Sequence, residues 1–133
     1  MTDPVAVVAE CCERFQSGEV PWELLAEDIE WEISEMLDQT GTFHGHDGIR
    51  SFLREWLGTW DDYSFEVEDI VAGAGGRVLV LFRERGRGKG SGAEVELRPG
   101  GVWTVAGGEV IRYRGYVDRD EAARAAGVAP QPE

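Results

Sequence analysis

The chain has 133 residues, enough for one hydrophobic core and too few for two domains of ordinary size. Hydrophobic residues make up 42% of it, which excludes an intrinsically disordered protein. Its formal net charge of -13 disfavours binding to nucleic acid or to an anionic membrane. We therefore expect a single domain over residues 1–133, ordered over about 4–127, with a tail at 128–133.

The first residues predict a cytoplasmic protein. They lack the basic segment of a secretory signal, and Glu10 and Glu13 interrupt their apolar run. No stretch reaches the length of a membrane span. Cys11 and Cys12 are adjacent on a predicted helix, where they are expected to be reduced, buried and small hydrophobic side chains.

The predicted elements follow in the order helix, short helix, strand, helix, and then strands. Asp3 as N-cap and Pro4 as first helical residue begin a helix that Gly18 ends. Pro21 begins a second, short helix that runs to about Ala26. Residues 29–34 alternate between apolar and polar side chains, as in a strand with one buried face.

A glycine-rich turn at residue 41 leads into a helix over about 46–60. One face of this helix carries an apolar stripe, formed by Ile49, Phe52, Leu53, Trp56, Leu57 and Trp60. Four further strands are predicted, over 63–68, 77–85, 93–105 and 109–117. Pro99 and the two glycines after it predict a bulge or corner within the third of these. Asp118 and Glu121 form a capping box for a last helix that ends at Gly127.

The order of elements, the segment FHGHDGIRSFLREW and the closing strand VIRYRGYVD resemble the SnoaL-like branch of the nuclear transport factor 2-like superfamily. The resemblance implies an α+β fold: a conical barrel of a curved, mostly antiparallel sheet wrapped around three N-terminal helices, with a short C-terminal helix. It also implies a homodimer formed through the outer sheet face. Members include steroid isomerases, epoxide hydrolases, dehydratases and polyketide cyclases, so the fold alone defines no reaction.

Neither of the two catalytic sets that the resemblance suggests is retained. The positions matching the tyrosine and the two acids of the steroid isomerases are Cys11, Ile33 and Gly101. The arginine of the limonene-type epoxide hydrolases is kept at Arg83, but their two aspartates are replaced by Arg85 and Gly115. A slip of one residue in this alignment would exchange inward and outward faces.

With this register the sheet encloses an aromatic pocket with few polar groups, which is typical of a small-molecule site. The residues predicted to face it are Trp31, Ile33, Glu35, Arg83, Trp103, Tyr113 and Gly115, with Trp56 covering them from the helix. Arg83 is expected to bind or polarise a substrate oxygen, while Glu35 acts as general base or holds a water. The alternative is a structural Arg83–Glu35 ion pair without chemistry.

His44 and His46 lie in the loop before the central helix. Either could act as acid or base at the pocket rim, and a plain surface position is the alternative. With Asp47 they are too few ligands to predict a metal site, and no cofactor is indicated.

The sequence therefore predicts a pocket for a small, mostly apolar molecule, with cofactor-independent proton transfer, isomerisation or hydration as the candidate chemistry. Two alternatives stay open. One is a pocket that binds such a molecule without catalysis, and the other is a homodimerisation module whose cavity has no role.

Overall fold

The structure is a computed structural model that describes residues 3–36 and 39–128, with side chains described over 3–33, 41–58 and 60–128. The helices are α1 (Pro4–Gln16), a 3₁₀ helix (Trp22–Leu24), α2 (Gly45–Thr59) and α3 (Arg119–Ala126). The strands are β1 (Leu25–Met36), β2 (Gln39–His44), β3 (Trp60–Ala72), β4 (Arg77–Gly88), β5 (Glu94–Leu97), β6 (Gly100–Ala106) and β7 (Glu109–Tyr116). Of the predicted tail at 128–133, all but Val128 lies outside the described residues.

The seven strands form one curved, unclosed sheet in the order β2-β1-β7-β6-β4-β3, and β5 pairs with the distal half of β4. β1 and β7 are parallel, and the other pairs are antiparallel. α1 and α2 pack on the inner face and share the main core with it. α3 packs on the outer face, over a second cluster that contains Leu79, Val102 and Tyr116. The predicted α+β class, with a curved sheet around N-terminal helices and a short C-terminal helix, is confirmed.

The helix ends follow the capping residues that the sequence indicates. The Asp3 carboxylate accepts the N–H of Val5 at 3.0 Å, and Pro4 is the first helical residue of α1. The Asp118 carboxylate accepts the N–H of Asp120 at 2.8 Å at the start of α3, and Gly127 ends that helix in the left-handed region at φ 77°. Both predicted N-caps are confirmed.

Two predictions near the N-terminus were wrong. The short helix predicted over residues 21–26 is a single 3₁₀ turn, and β1 begins at Leu25 instead of Ile29. The glycine-rich turn at residue 41 lies within strand β2, where Gly41 pairs with Ile33 and Phe43 pairs with Trp31. The apolar Phe43 packs against the core, and this burial outweighs the weak strand propensity of the glycine beside it.

The strand predicted over 93–105 divides at Pro99 into β5 and β6. Proline has no N–H to donate to a ladder, so the chain changes direction there. β5 continues along the distal half of β4, and β6 pairs with its first half. The corner predicted at this position is confirmed.

Within the described ranges, no helix combines the length and the apolar character needed to cross a lipid bilayer.

Candidate functional site

A cavity of about 360 Å³ lies between the inner face of the sheet and the helices α1 and α2. Nine aromatic side chains line it, together with aliphatic residues such as Ile33, Val67 and Val80. Its exposed lining residues mark the mouth, which lies between the ends of α1 and α2 and strand β3: Gln16, Gly18, Glu19, Leu57 and Ser64.

Five of the six predicted ligand-binding residues line this cavity: Trp31, Ile33, Trp56, Trp103 and Tyr113. The rings of Trp31 and Tyr113 are stacked, with their centroids 4.2 Å apart. Trp103 presents its edge to both rings, at 5.7 Å from Trp31 and 4.9 Å from Tyr113. These three side chains form an aromatic wall on neighbouring strands β1, β7 and β6.

The sixth predicted residue, Gly115, is not in the lining but makes room for it. Gly115 pairs across β6 and β7 with Gly101, and the ring of Tyr113 lies over both. A Cβ atom at Gly101 would lie 2.7 Å from Cε1 of Tyr113, closer than packing allows. The two glycines therefore let Tyr113 lie flat against the sheet, which keeps the cavity open.

The inward orientation predicted for Arg83 is wrong. Its Nη2 atom lies 2.6 Å from Oε2 of Glu66, and its Nε atom lies 3.7 Å from Oε1 of Glu96. Both partners are exposed side chains, and Arg83 does not line the cavity. Arg83 therefore lies on the outer face of the sheet.

The cause of this error is the double burial of β4. Val78 and Val80 face the main core, while Leu79, between them, packs under α3 on the other face. Residues 78–82 are therefore all apolar. Without alternating polar side chains, the sequence does not show which of these residues face inward. A one-residue slip then exchanges the faces of every later residue in the strand.

The other two predicted catalytic residues are His44 and Glu35. His44 is exposed at the end of β2, away from the lining. The side chain of Glu35 lies outside the part of the chain that the structure describes. His46, by contrast, is half-buried, with Nε2 2.8 Å from the Leu25 carbonyl oxygen and its ring centroid 5.1 Å from that of Trp22.

The corrected register places Glu84 inside the cavity. Glu84 is 5% exposed, and it is the only charged residue that is buried among the described residues. The Tyr63 hydroxyl donates a hydrogen bond to Oε2, and the Trp56 indole lies near the carboxyl. The Oε1 atom is buried and has no hydrogen-bond partner among the described residues.

Burial raises the pKa of Glu84 to about 7, while the hydrogen bond from Tyr63 and the nearby Trp56 indole act in the opposite direction. Near neutral pH the carboxyl is therefore present in both protonation states. With one oxygen held by Tyr63 and the other unpaired, it can take up a proton from a bound molecule or deliver one to it.

Tyr113 and Cys12, which also line the cavity, keep their protons near neutral pH. Burial raises the pKa of the Tyr113 hydroxyl, and the nearby Glu84 carboxylate raises it further. Burial likewise raises the pKa of the Cys12 thiol to about 12, so this cysteine is not a nucleophile. Among the described residues, no group of three or more His, Cys, Asp or Glu side chains could hold a metal ion.

A signal for Glu84 was present in the sequence. Arg83, Arg85 and Arg87 alternate along β4, and a face with three arginines is more stable in water than in a core. Placing these arginines outward forces the glutamate between the first two of them inward.

A family model described as the SnoaL-like domain matches residues 13–113. No curated protein sequence is similar enough to count as a match.

Solved structures with the same fold cover nearly the whole chain. An NTF2-like protein from Burkholderia thailandensis has 26% sequence identity and a TM-score of 0.81, over 99% of this chain and 100% of that one. A candidate SnoaL-like polyketide cyclase from Jannaschia sp. has 20% identity and a TM-score of 0.72, over 97% and 94%. TerC, co-crystallised with polyporic acid, has 20% identity and a TM-score of 0.74, over 94% and 98%. With α1 and α2 inside a curved sheet and a family match over residues 13–113, the chain belongs to the SnoaL-like domain family.

Proposed function

We propose that the cavity binds a small, mostly apolar molecule and that Glu84 exchanges a proton with it without a cofactor. The observation that carries this proposal is the buried Glu84 carboxyl, whose Oε1 atom has no hydrogen-bond partner among the described residues and whose other oxygen is held by Tyr63. A buried polar atom without a partner is costly, and a ligand that supplies the partner removes that cost.

The lining supports the binding step. Nine aromatic rings around about 360 Å³ offer a large apolar contact surface, as in other small-molecule sites. Two proteins of the same fold point to small organic ligands as well, since one is a candidate polyketide cyclase and the other was co-crystallised with polyporic acid.

The environment of Glu84 supports the proton transfer. A base works best when its pKa lies near the working pH, and burial brings the pKa of Glu84 to about 7. The ionised carboxylate would take a proton from one atom of the ligand and, as the acid, return it to another, so that the ligand is isomerised and the enzyme is restored. Tyr63 holds Oε2 and leaves Oε1 as the oxygen that can exchange the proton.

The binding step is tested by a thermal-shift screen of lipophilic alcohols, ketones, lactones and steroids. A ligand at about 100 times its Kd stabilises the folded protein by about 2.7 kcal/mol. We expect ligands that stabilise the wild type and lose affinity in Glu84→Gln, but not in Glu66→Gln, which removes a carboxylate from the outer face. A panel without any stabilising compound would contradict the binding function.

The proton transfer is tested on the compounds that bind. In D₂O, we expect the wild type to exchange a ligand C–H for deuterium, as followed by NMR. Glu84→Gln, at ligand concentrations raised to compensate for its weaker binding, should show no exchange. Binding without exchange by the wild type would favour the non-catalytic pocket instead.

A further inference from the structure

We propose that the natural ligand of this cavity carries a positive charge, as an arylalkylammonium ion does, and that this charge pairs with Glu84. The proposal rests on the proposed function only for the position of the binding site. It adds the chemical class of the ligand, which the SnoaL-like fold does not define.

The charges around the cavity favour a cation. The described lining contains no Arg, Lys or His, and it contains two carboxylates, Glu84 inside and Glu19 at the mouth. Arg14, near the mouth, pairs with Glu19 at 3.0 Å and also with Glu23, and it is not a lining residue. An anionic ligand would therefore be desolvated beside a carboxylate without a counter-charge, which is unfavourable.

The aromatic wall favours a cation for a second reason. The face of an indole or phenol ring has a negative quadrupole that attracts ammonium groups, and the attraction grows where water is excluded. Trp31, Trp56, Trp103 and Tyr113 all line the same cavity as Glu84. Aromatic rings around a carboxylate are the arrangement expected of an ammonium site.

The unpaired Oε1 atom of Glu84 supplies the third reason. A neutral alcohol can donate one hydrogen bond to this atom, whereas an ammonium ion donates a hydrogen bond and also balances the charge of the ionised carboxylate. An ion pair that is also hydrogen-bonded is the form in which a buried carboxylate is tolerated.

Binding of a cation should then be coupled to loss of a proton from Glu84. The other groups near this carboxyl are Tyr63 on β3, Tyr113 on β7 and the indole of Trp56 on α2, and Cys12 on α1 lines the same cavity. Burial raises the pKa of both tyrosines and raises that of Cys12 to about 12, so these groups stay neutral near pH 7. Glu84, with a pKa of about 7, is the group among them that changes charge.

The test is isothermal titration calorimetry with 2-phenylethylammonium, 2-phenylethanol and phenylacetate, which share a ring and differ in charge. We expect the ammonium ion to bind most tightly at pH 8 and phenylacetate not to bind. Between pH 6 and pH 8 the ionised fraction of a carboxyl with a pKa of about 7 rises about tenfold, and the affinity for the ammonium ion should rise by the same factor. Titrations at pH 6 in two buffers of different ionisation enthalpy should show the release of nearly one proton.

Glu84→Gln is the matched variant, because it keeps the shape of the side chain and removes its charge. It should lose both the preference for the ammonium ion and the dependence on pH, while Glu66→Gln should keep them. Glu19→Gln, which removes the carboxylate at the mouth, should weaken ammonium binding less than Glu84→Gln and leave the proton release intact.

The possible failures are distinguishable. If 2-phenylethanol or phenylacetate binds at pH 8 as tightly as the ammonium ion, the charge proposal is overturned and the binding function stands. The same holds if neutral compounds from the screen bind and the ammonium ion does not. If neither experiment finds a ligand, the binding function itself is overturned.

Discussion

Glu84 is a carboxyl group in a place where its ionised form is poorly solvated. Its folded-state pKa is about 7 against an ordinary value of 4.5, with burial as the largest cause. Between these two pH values the folded protein holds a proton that the unfolded chain has released. The contribution of Glu84 to the free energy of unfolding should therefore be largest below pH 4.5 and should be lost as the pH rises to 7.

We predict that this loss is visible when wild type is compared with Glu84→Gln. Relative to the variant, the free energy of unfolding of the wild type should fall by about 3 kcal/mol between pH 4.5 and pH 7 and stay level above that. Urea denaturation at intervals of half a pH unit from pH 4.5 to 8.5 measures it. Parallel curves for the two proteins would show that Glu84 has an ordinary pKa.

A second prediction concerns Tyr63, whose hydroxyl donates to Oε2 of Glu84. This hydrogen bond favours the ionised carboxylate and lowers its pKa. Tyr63→Phe should therefore raise the pKa of Glu84 above that of the wild type. An NMR titration of ¹³C-labelled glutamate carboxyls follows this change, and Tyr116→Phe, on the outer face, is the control. An unchanged or lower pKa in Tyr63→Phe would mean that the hydroxyl does not hold the carboxylate.

At the level of elements, strands β6 and β7 leave space for the Tyr113 ring that lies on them. Gly101 and Gly115 face each other, and a side chain at either position would occupy the space of Tyr113. Gly101→Ala would place a Cβ atom 2.7 Å from this ring, so the ring would have to move into the cavity.

We predict that Gly101→Ala destabilises the protein by roughly 1–3 kcal/mol, the usual effect of overpacking. It should also weaken ligand binding, because the displaced Tyr113 ring narrows the cavity. Gly58→Ala is the control, since a Cβ atom at this helical position would meet nothing within 4 Å. That variant should gain about 0.5–1 kcal/mol from the better helix propensity of alanine. Chemical denaturation measures both changes, and equal effects of the two variants would refute the packing argument.

Elements whose ends are marked by nearby residues were predictable from the sequence. Which side chains of β4 point into the cavity was not. Asp3 and Asp118 mark helix starts because they satisfy free N–H groups within two or three residues, and Pro99 marks a corner because it lacks an N–H. The facing of β4 depends on α3, a helix more than thirty residues later that buries its second face. No local sequence pattern reveals that contact, so the sequence predicted Arg83 in the cavity where the structure has Glu84.

The hydrogen bond from Tyr63 to Glu84 likewise depends on the register between β3 and β4, which a bulge between Asp61 and Ser64 displaces.

At the level of the whole molecule, the outer face of the sheet carries opposite charges on adjacent strands. Glu30 and Glu32 of β1 lie beside Arg112 and Arg114 of β7, with Arg112 Nε 3.8 Å from Oε2 of Glu30 and Arg114 Nε 3.6 Å from Oε2 of Glu32. A twofold axis near this face would set the acidic strand of one copy against the basic strand of the other. The charge pattern is therefore suited to the homodimer that the family resemblance implies.

We predict that the protein sediments at twice the 14.7 kDa of one chain in low salt. The double variant Arg112→Glu, Arg114→Glu should sediment as one chain, because β1 and β7 then carry only acidic side chains at these four outer positions and repel the same strands of a second copy. Arg87→Glu, an exposed change on β4, is the control and should keep the wild-type mass. Analytical ultracentrifugation at 20 µM measures these masses, and a wild-type species of one chain would refute the dimer.

The aromatic wall of the cavity has an optical consequence. Three of the five tryptophans, Trp31, Trp56 and Trp103, line the cavity, and the indole of Trp56 also lies near Glu84. The emission of an indole depends on the polarity and charge within a few ångströms of it. The intrinsic fluorescence of the unlabelled protein should therefore change when the cavity fills and when Glu84 ionises, so the molecule contains its own reporter for both events.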